Sequence, residues 1–424
     1  MLIVNSEKVA DNLMDKRSLN YSDRMDMSKM LKPYGLDFDT ALIQHDVTWR
    51  GHRRVLQQTL RPEVIGVYQS TQLRCAVDLL QNLTCTPASW WKHLRTFSAA
   101  VILGATYDHE LSKDPENDHI LRAVVDGMEL ALELSSAGPI ALISALPILK
   151  YLPTWIPGPR WANAANCKRL MDEMINAPFE ELLKKMAAGE AGHCVVADAL
   201  EKFKDTTKVE NIERSIRNSC GTAYAAGEET TGSTLIVFTL AMVLYPSVQK
   251  RAQAEIDRIV GADRLPDLND RPSLPYVEAV FRETLRWKPV VPLAIPHAAA
   301  NEDIYDGYLI PKGTVILPNL WAMSRDSTKY PFPDVFDPER FLDADENITG
   351  DTPNFAFGFG RRICPGRHLA SGSVWIAMAQ ILASFSIEKA KDTSGNTVEP
   401  NPEWATGATS YPLQFPCNFV PRRL

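Results

Sequence analysis

Apolar residues recur at helical spacing through the first two thirds of the chain, then give way to short alternating runs. Glu7–Arg17 and Thr48–Leu60 carry the 3.6-residue period, with Pro62 closing the second, and residues 18–47 are irregular. From Asp118 to Gly189 the pattern is helical and rich in apolar residues. It is interrupted by ALPILKYLPTWIPGPRW (145–161), whose four prolines demand a loop. That loop is apolar and aromatic, so it reads either as packed on the core or as a membrane-dipping or substrate-gating segment. The longest helical pattern runs from about Glu210 to Leu244, with Pro246 as its stop. At about 1.5 Å per residue it spans roughly 50 Å. Its C-terminal half is apolar all round and should run through the core.

Further helices are predicted over Ser247–Val260 and about Tyr276–Trp287. After Pro289 the texture changes to strand-like runs: VPLAIPHA (291–298), DIYDGYLI (303–310) and TVILPNLWAM (314–323). A coil rich in proline and acids covers 329–354, a helix about Arg367–Phe385, and a β-hairpin with loops the tail 386–424. The expected class is mainly α with a small β region. No linker or repeat divides the chain, so residues 1–424 are read as one domain.

Composition narrows the function. The chain has 424 residues, 45% hydrophobic and 23% charged, enough apolar material for a large core. A net charge of −7 argues against nucleic acid as a partner. Seven scattered cysteines suit a reducing compartment, and no C-x-x-C or paired-histidine spacing suggests zinc. The opening MLIVNSEKVADNL turns polar too early for a signal peptide. The most apolar run, LIVFTLAMVLY (235–245), is too short to span a bilayer.

The stretch FGFGRRICPG (357–366) carries candidate chemistry. Pro365 is expected near the first turn of the helix that follows, which sets Cys364 at its positive end. Free backbone N–H groups there should lower the thiol pKa and favour thiolate. Gly358, Gly360 and Gly366 allow tight bends or close approach to a flat object. Arg362 offers a cation for an anionic group. Together these suit haem iron and its propionates. The alternative is a buried structural cysteine in a glycine-rich turn.

The same stretch resembles the haem-binding signature F-x-x-G-x-R-x-C-x-G of the cytochromes P-450, through Phe357, Gly360, Arg362, Cys364 and Gly366. Four other features resemble that family's pattern. E-T-L-R sets Glu283 and Arg286 on one helix face. With Arg340 of F-D-P-E-R-F (336–341), the resemblance implies a buried network that supports the fold behind the haem. A-G-E-E-T-T (226–231) resembles the oxygen-activation motif, implying that Thr230 meets dioxygen, that Glu229 relays protons and that Gly227 leaves room beside the helix. W-R-G-H-R (49–53) implies that Trp49 and Arg53 contact a haem propionate. P-L-A-I-P-H (292–297) implies the same for His297.

The stretches PHAAANEDIYDGYLIPKGT and AFGFGRRICPGRHLA resemble fungal microsomal, reductase-dependent members, the branch of O-methylsterigmatocystin oxidoreductase. The resemblance implies a long central helix over haem b (iron protoporphyrin IX), with the cysteine-loop helix beneath. It implies O2 as co-substrate, and electrons from NADPH through NADPH–cytochrome P-450 reductase. That reductase would dock on Arg53, Arg54, Arg61, Arg361, Arg367 and His368. A small lipophilic substrate of fungal secondary metabolism would be hydroxylated or epoxidised. Its pocket would draw on Met25–Ile43, 125–145, Val290–Ile295 and Ala408–Tyr411.

Such relatives begin with a membrane anchor, a hinge, a first helix and a first strand. This chain opens at LIVNS, read as the second strand, which is expected to leave a sheet edge unpaired. The family sits on the cytoplasmic face of the endoplasmic reticulum. Without its anchor the chain is expected in the cytoplasm, with 145–161 as its remaining membrane contact. Two other readings stay open: haem-thiolate chemistry other than monooxygenation, and a haem-binding chain with little activity.

Overall fold

The structure is a computed structural model and describes residues 1–27, 31–112, 117–135, 142, 145–146, 148, 164–204 and 211–422. Its longer helices are α1 (Val47–Thr59), α2 (Gln69–Cys85), α3 (Trp90–Tyr107), α4 (His119–Ser135), α5 (Ala164–Ala188), α6 (Val195–Phe203), α7 (Ile212–Leu244), α8 (Pro246–Ile259), α9 (Pro275–Trp287) and α10 (Arg367–Ser384). The fold is mainly α with small sheets, as the periodicity predicts.

The long helix α7 is the axis. Leu235–Val243 are buried on every face, which explains a stretch with no polar stripe. One apolar cluster packs this half against α2, α3, α8, α9 and α10, and a second packs the N-terminal half against α1, α5 and α6. Pro246 ends α7 and also opens α8, which leaves at 105°. Proline has no N–H for the preceding ladder, yet fits a first helical turn. Gly227 and Gly232 let α3 lie close on α7, because a Cβ at Gly232 would sit 3.2 Å from Arg95 Cα.

Three strands form one sheet in the order β1–β5–β2: β1 (Leu2–Val4) runs parallel to β5 (Val315–Pro318), and β2 (His297–Ala298) antiparallel. β1 is thus an edge strand. The run 303–310 is a hairpin of β3 (Asp303–Tyr305) and β4 (Tyr308–Ile310), turning at Asp306 and Gly307, with φ of 49° and 81°. Positive φ at both central residues matches the twist of the strands. In the tail, β6 (Phe385–Lys389) pairs with β7 (Cys417–Pro421).

Three expectations differ from the structure. Glu7–Arg17 is an α-helix only to Ala10 and continues as a π-helix over Asp11–Lys16. Of VPLAIPHA only His297–Ala298 is strand, because Pro292 and Pro296 have no N–H for a ladder. TVILPNLWAM splits into β5 and a helical turn, Leu320–Met323, which the Asn319 side chain caps by accepting from Ala322 N–H. Among the described residues no single helix is long and apolar enough to cross a membrane. The proposed membrane-dipping loop 145–161 lies outside the described residues apart from 145, 146 and 148.

Candidate active site

A cavity of about 320 Å³ opens between α1, α7, α9, α10 and the cysteine loop. Cys364 lines its floor, with Phe357, Gly358 and Gly366 beside it. The loop is closed by Cys364 N–H donating to Phe357 O at 2.8 Å. Its glycines differ in purpose. Gly358 has φ 79° with open space around it, so it serves the bend. Gly360 has φ 55°, and a Cβ there would come within 1.8 Å of Met14 O. The close approach at Gly360 is therefore to the π-helix rather than to a flat ligand.

The thiol departs from expectation too. Pro365 directly precedes Gly366, the N-cap of α10, and so stands next to its first turn as expected. Burial pushes the Cys364 thiol up from its ordinary value. The N–H groups of Gly366 and Arg367 and the guanidiniums of Arg53 and Arg367 oppose the rise without reversing it.

One wall is cationic. Arg362 donates to Ser22 O at 2.8 Å, Thr40 O at 3.1 Å and Ile43 O at 2.9 Å, with its guanidinium 4.5 Å over the Trp49 ring. Arg24 donates to Ala41 O and Ile295 O at 2.8 Å and to Pro296 O at 2.7 Å. Arg53, buried on α1, donates to Ile363 O, and its Nε has no partner. His297 Nδ1 donates to Tyr21 O at 2.6 Å. Trp49 and all four of these groups line the cavity, and among the described residues no carboxylate does. Desolvation, helped by the neighbouring cations, lowers Arg24 to about 9 and both Arg53 and Arg362 to about 10, against the opposing pull of Asp39 and Asp23 on Arg24, of Cys364 on Arg53 and of Asp23 and Asp46 on Arg362. Burial, with Arg24 and Arg362 nearby, lowers His297 to about 3, so the ring is neutral.

Arg24 was missed by sequence reasoning. It lies in the irregular segment 18–47, and no spacing marks it. Burial also removes Arg53 from the predicted reductase patch, while Arg54, Arg61 and Arg361 remain exposed.

The α7 wall is arranged differently. Thr230 and Gly227 line the cavity. A Cβ at Gly227 would strike Ile102 Cγ1 at 2.7 Å, so the glycine also admits the α3 side chain that packs against it. Ser98 Oγ donates to Gly227 O at 2.8 Å and accepts from Gly232 N–H at 3.1 Å, a hydroxyl inserted into the helix ladder. Thr230 Oγ1 donates to Ala226 O at 2.9 Å, which leaves its lone pairs for the cavity. Glu229 is buried and does not line the cavity; its Oε1 accepts from Thr409 Oγ1 at 2.9 Å. The adjacent Glu228 faces Arg95 at 3.4 Å, and burial pushes its carboxyl up against that cation.

Beneath the site, Glu283 and Arg286 form a two-pronged pair at 2.6 and 2.7 Å, and neither side chain is exposed. Arg340 Nε reaches Glu283 at 3.3 Å, and Asp337 N–H donates to it at 2.8 Å. Of the predicted pocket regions, Thr40, Ala41, Val290, Val291, Ala294 and Ile295 line the cavity. No described residue of 125–145 or 408–411 does. Residues 28–30 and most of 136–145 lie outside the described residues.

Comparison with known proteins identifies the family. The sequence profile of the cytochrome P-450 family matches residues 1–415. A cytochrome P-450 monooxygenase of Armillaria gallica is 39% identical over 425 residues, covering 100% of this chain and 83% of the relative. Tryptamine 4-monooxygenase of Psilocybe cyanescens is 35% identical over 427 residues, covering 100% of this chain and 83% of the relative. A zebrafish cytochrome P-450 solved with progesterone superposes with a TM-score of 0.80 at 25% identity, over 99% of this chain and 93% of that one. The chain belongs to the cytochrome P-450 family and is a monooxygenase of that family, which uses haem and O2.

Proposed function

We propose that this cytochrome P-450 monooxygenase would hold haem b through the Cys364 sulfur. It takes electrons from NADPH through a reductase and inserts one atom of O2 into a small lipophilic substrate. The observation that carries the reading is charge: a cavity with a sulfur on its floor and three guanidiniums on its wall, no carboxylate among its described lining residues, and Asp23, Asp39 and Asp46 outside the lining offsetting Arg24 and Arg362 only in part. Buried cations without counter-ions are costly unless an anion completes them. Two propionates on a flat, apolar group meet that need.

When bound, haem supplies the redox chemistry that activates O2. The chain's own residues do the rest. Arg24, Arg53 and Arg362 hold the propionates, with neutral His297 beside them and Trp49 supporting Arg362. Cys364 would supply its sulfur to the iron and would lose its thiol proton on doing so. Leu56, Ile102, Phe281, Leu285, Val291 and Ile295 give the walls an apolar surface that excludes water and favours lipophilic substrates. Thr230 accepts a hydrogen bond at Oγ1 and so orients a proton donor at the oxygen side. Glu229 is the buried acid from which protons are supplied. Glu283, Arg286 and Arg340 hold the floor in place and take no part in chemistry. The exposed Arg54, Arg61 and Arg361 offer the reductase a basic face.

The test is turnover with reductase and NADPH under ¹⁸O₂, across terpenoid and aromatic compounds. One labelled oxygen in the product is expected. Product without label, or equal turnover without NADPH, would replace this reading with isomerase, dehydratase or peroxide chemistry.

A further inference from the structure

The acid next to Thr230 does not face the cavity that Thr230 lines. Its carboxylate is held across 180 positions of sequence by Thr409, at 2.9 Å. Thr409 stands near the tip of a hairpin, where Ala405 N–H donates to Tyr411 O at 2.9 Å and Leu413 N–H to Glu403 O at 2.8 Å. Ser410 N–H donates to Val290 O at 2.8 Å, which fixes the hairpin to a residue of the cavity wall. Thr406, Gly407 and Ala408 before it are exposed, whereas Glu229 is buried. Thr409 therefore links solvent to a buried carboxylate. Tyr411 lies on the same side, its phenol pushed up first by burial and further by Glu229 and Glu228.

The neighbouring acid is tied differently. Glu228 meets Arg95, whose guanidinium also lies 5.2 Å from the Trp91 ring. A guanidinium stays protonated and has no lone pair to accept with, so it cannot pass a proton along. A hydroxyl donates and accepts. Of these two partners, the hydroxyl of Thr409 can relay and the guanidinium of Arg95 cannot.

We propose that the 404–412 hairpin is the proton-entry element of this enzyme, with Thr409 as the positioning residue that holds Glu229 at its solvent end. The inference rests on the monooxygenase reading above. The reaction consumes O2, two electrons from NADPH, two protons and the substrate C–H. It forms one C–O bond and releases the second oxygen as water, so two protons must enter per turnover. Glu229 collects each one while bonded to Thr409. A turn of its side chain then presents the proton to the Thr230 side of the helix.

Thr409→Val keeps the shape and removes the hydroxyl; Thr409→Ser keeps the hydroxyl. Three readouts on the haem-loaded enzyme decide the matter. The carbon-monoxide spectrum should be the same in all three proteins. Amide exchange over 405–413 in the resting enzyme should quicken in Thr409→Val and in Glu229→Ala, because the hairpin loses its tie. The fraction of NADPH electrons recovered in product should fall roughly tenfold in Thr409→Val, with a larger solvent isotope effect, and return in Thr409→Ser. Unchanged coupling in Thr409→Val overturns the proposal, as does a loss that Thr409→Ser fails to restore. A wild-type spectrum without thiolate ligation would instead sink the haem reading beneath it.

Discussion

On the wall built by α1, the cysteine loop and β2, Arg24, Arg53 and Arg362 are pinned by backbone carbonyls, with no carboxylate beside them in the cavity lining. On the α7 wall both carboxylates are buried and each has its own partner, Arg95 for Glu228 and Thr409 for Glu229. On the reading proposed above, an anion brought from outside would complete the first wall. The second is complete within the chain and has to open for its acid to act. Substitutions on the first should therefore change cofactor affinity, and substitutions on the second should change how electrons are used.

A third charged cluster sets the scale. Glu283, Arg286 and Arg340 balance one another inside the protein. Burial raises the Glu283 carboxyl, and the two arginines pull it down. Glu283→Ala leaves buried cations uncompensated and should cost about 3–5 kcal/mol with or without haem. Denaturant unfolding of both forms checks this, and a cost confined to the haem-loaded form would contradict it.

The next effect is on pH. His52 adjoins Arg53 on α1 and shares a 2.9 Å hydrogen bond with Thr40. Burial lowers it to about 4 from the ordinary imidazole value of 6.5. A folded pKa below the unfolded one means that the unfolded chain binds the proton first. The stability is then fully present above about pH 6.5 and is lost as pH falls toward 4, by up to roughly 3 kcal/mol. Thermal melts of wild type and His52→Asn across that window should show a shallower fall in the variant, and parallel curves would refute it.

Arg53→Leu sharpens the comparison most. It removes a buried cation whose Nε has no partner. Haem affinity should fall about tenfold to a hundredfold, the range for a hydrogen bond to a charged group, while the haem-free melting temperature holds. A fall in haem-free stability with unchanged haem affinity would assign Arg53 to the fold.

Ser98→Ala is the mildest. It deletes the hydroxyl between Gly227 O and Gly232 N–H and should cost about 1 kcal/mol by thermal melting. No change would mean the helix ladder closes without it.

What the sequence made legible is local. The cysteine loop, the Glu283–Arg286 spacing and α7 with its proline stop are each written within a few residues, and motif or period finds them. What it hid depends on contacts between distant segments. Gly360 fits its signature, yet only the fold shows that the atom it must admit is Met14 O. Gly227 fits its motif, yet only the fold shows that Ile102 packs where its Cβ would stand. Arg24 joins the cationic wall from a segment without periodicity, and Glu229 finds Thr409 across 180 positions. The Cys364 thiol was misjudged for the same reason. A helix terminus is visible in sequence, whereas the burial that outweighs it is not.

The most direct test of the account is the difference spectrum of the dithionite-reduced, carbon-monoxide-bound protein, compared with that of Cys364→Ala. The account predicts the red-shifted Soret band of a thiolate ligand in the wild type and its loss in the variant. A wild type with the blue-shifted band of a non-thiolate ligand, or a variant that keeps the red-shifted one, would contradict Cys364 as the ligand at the floor of this cavity.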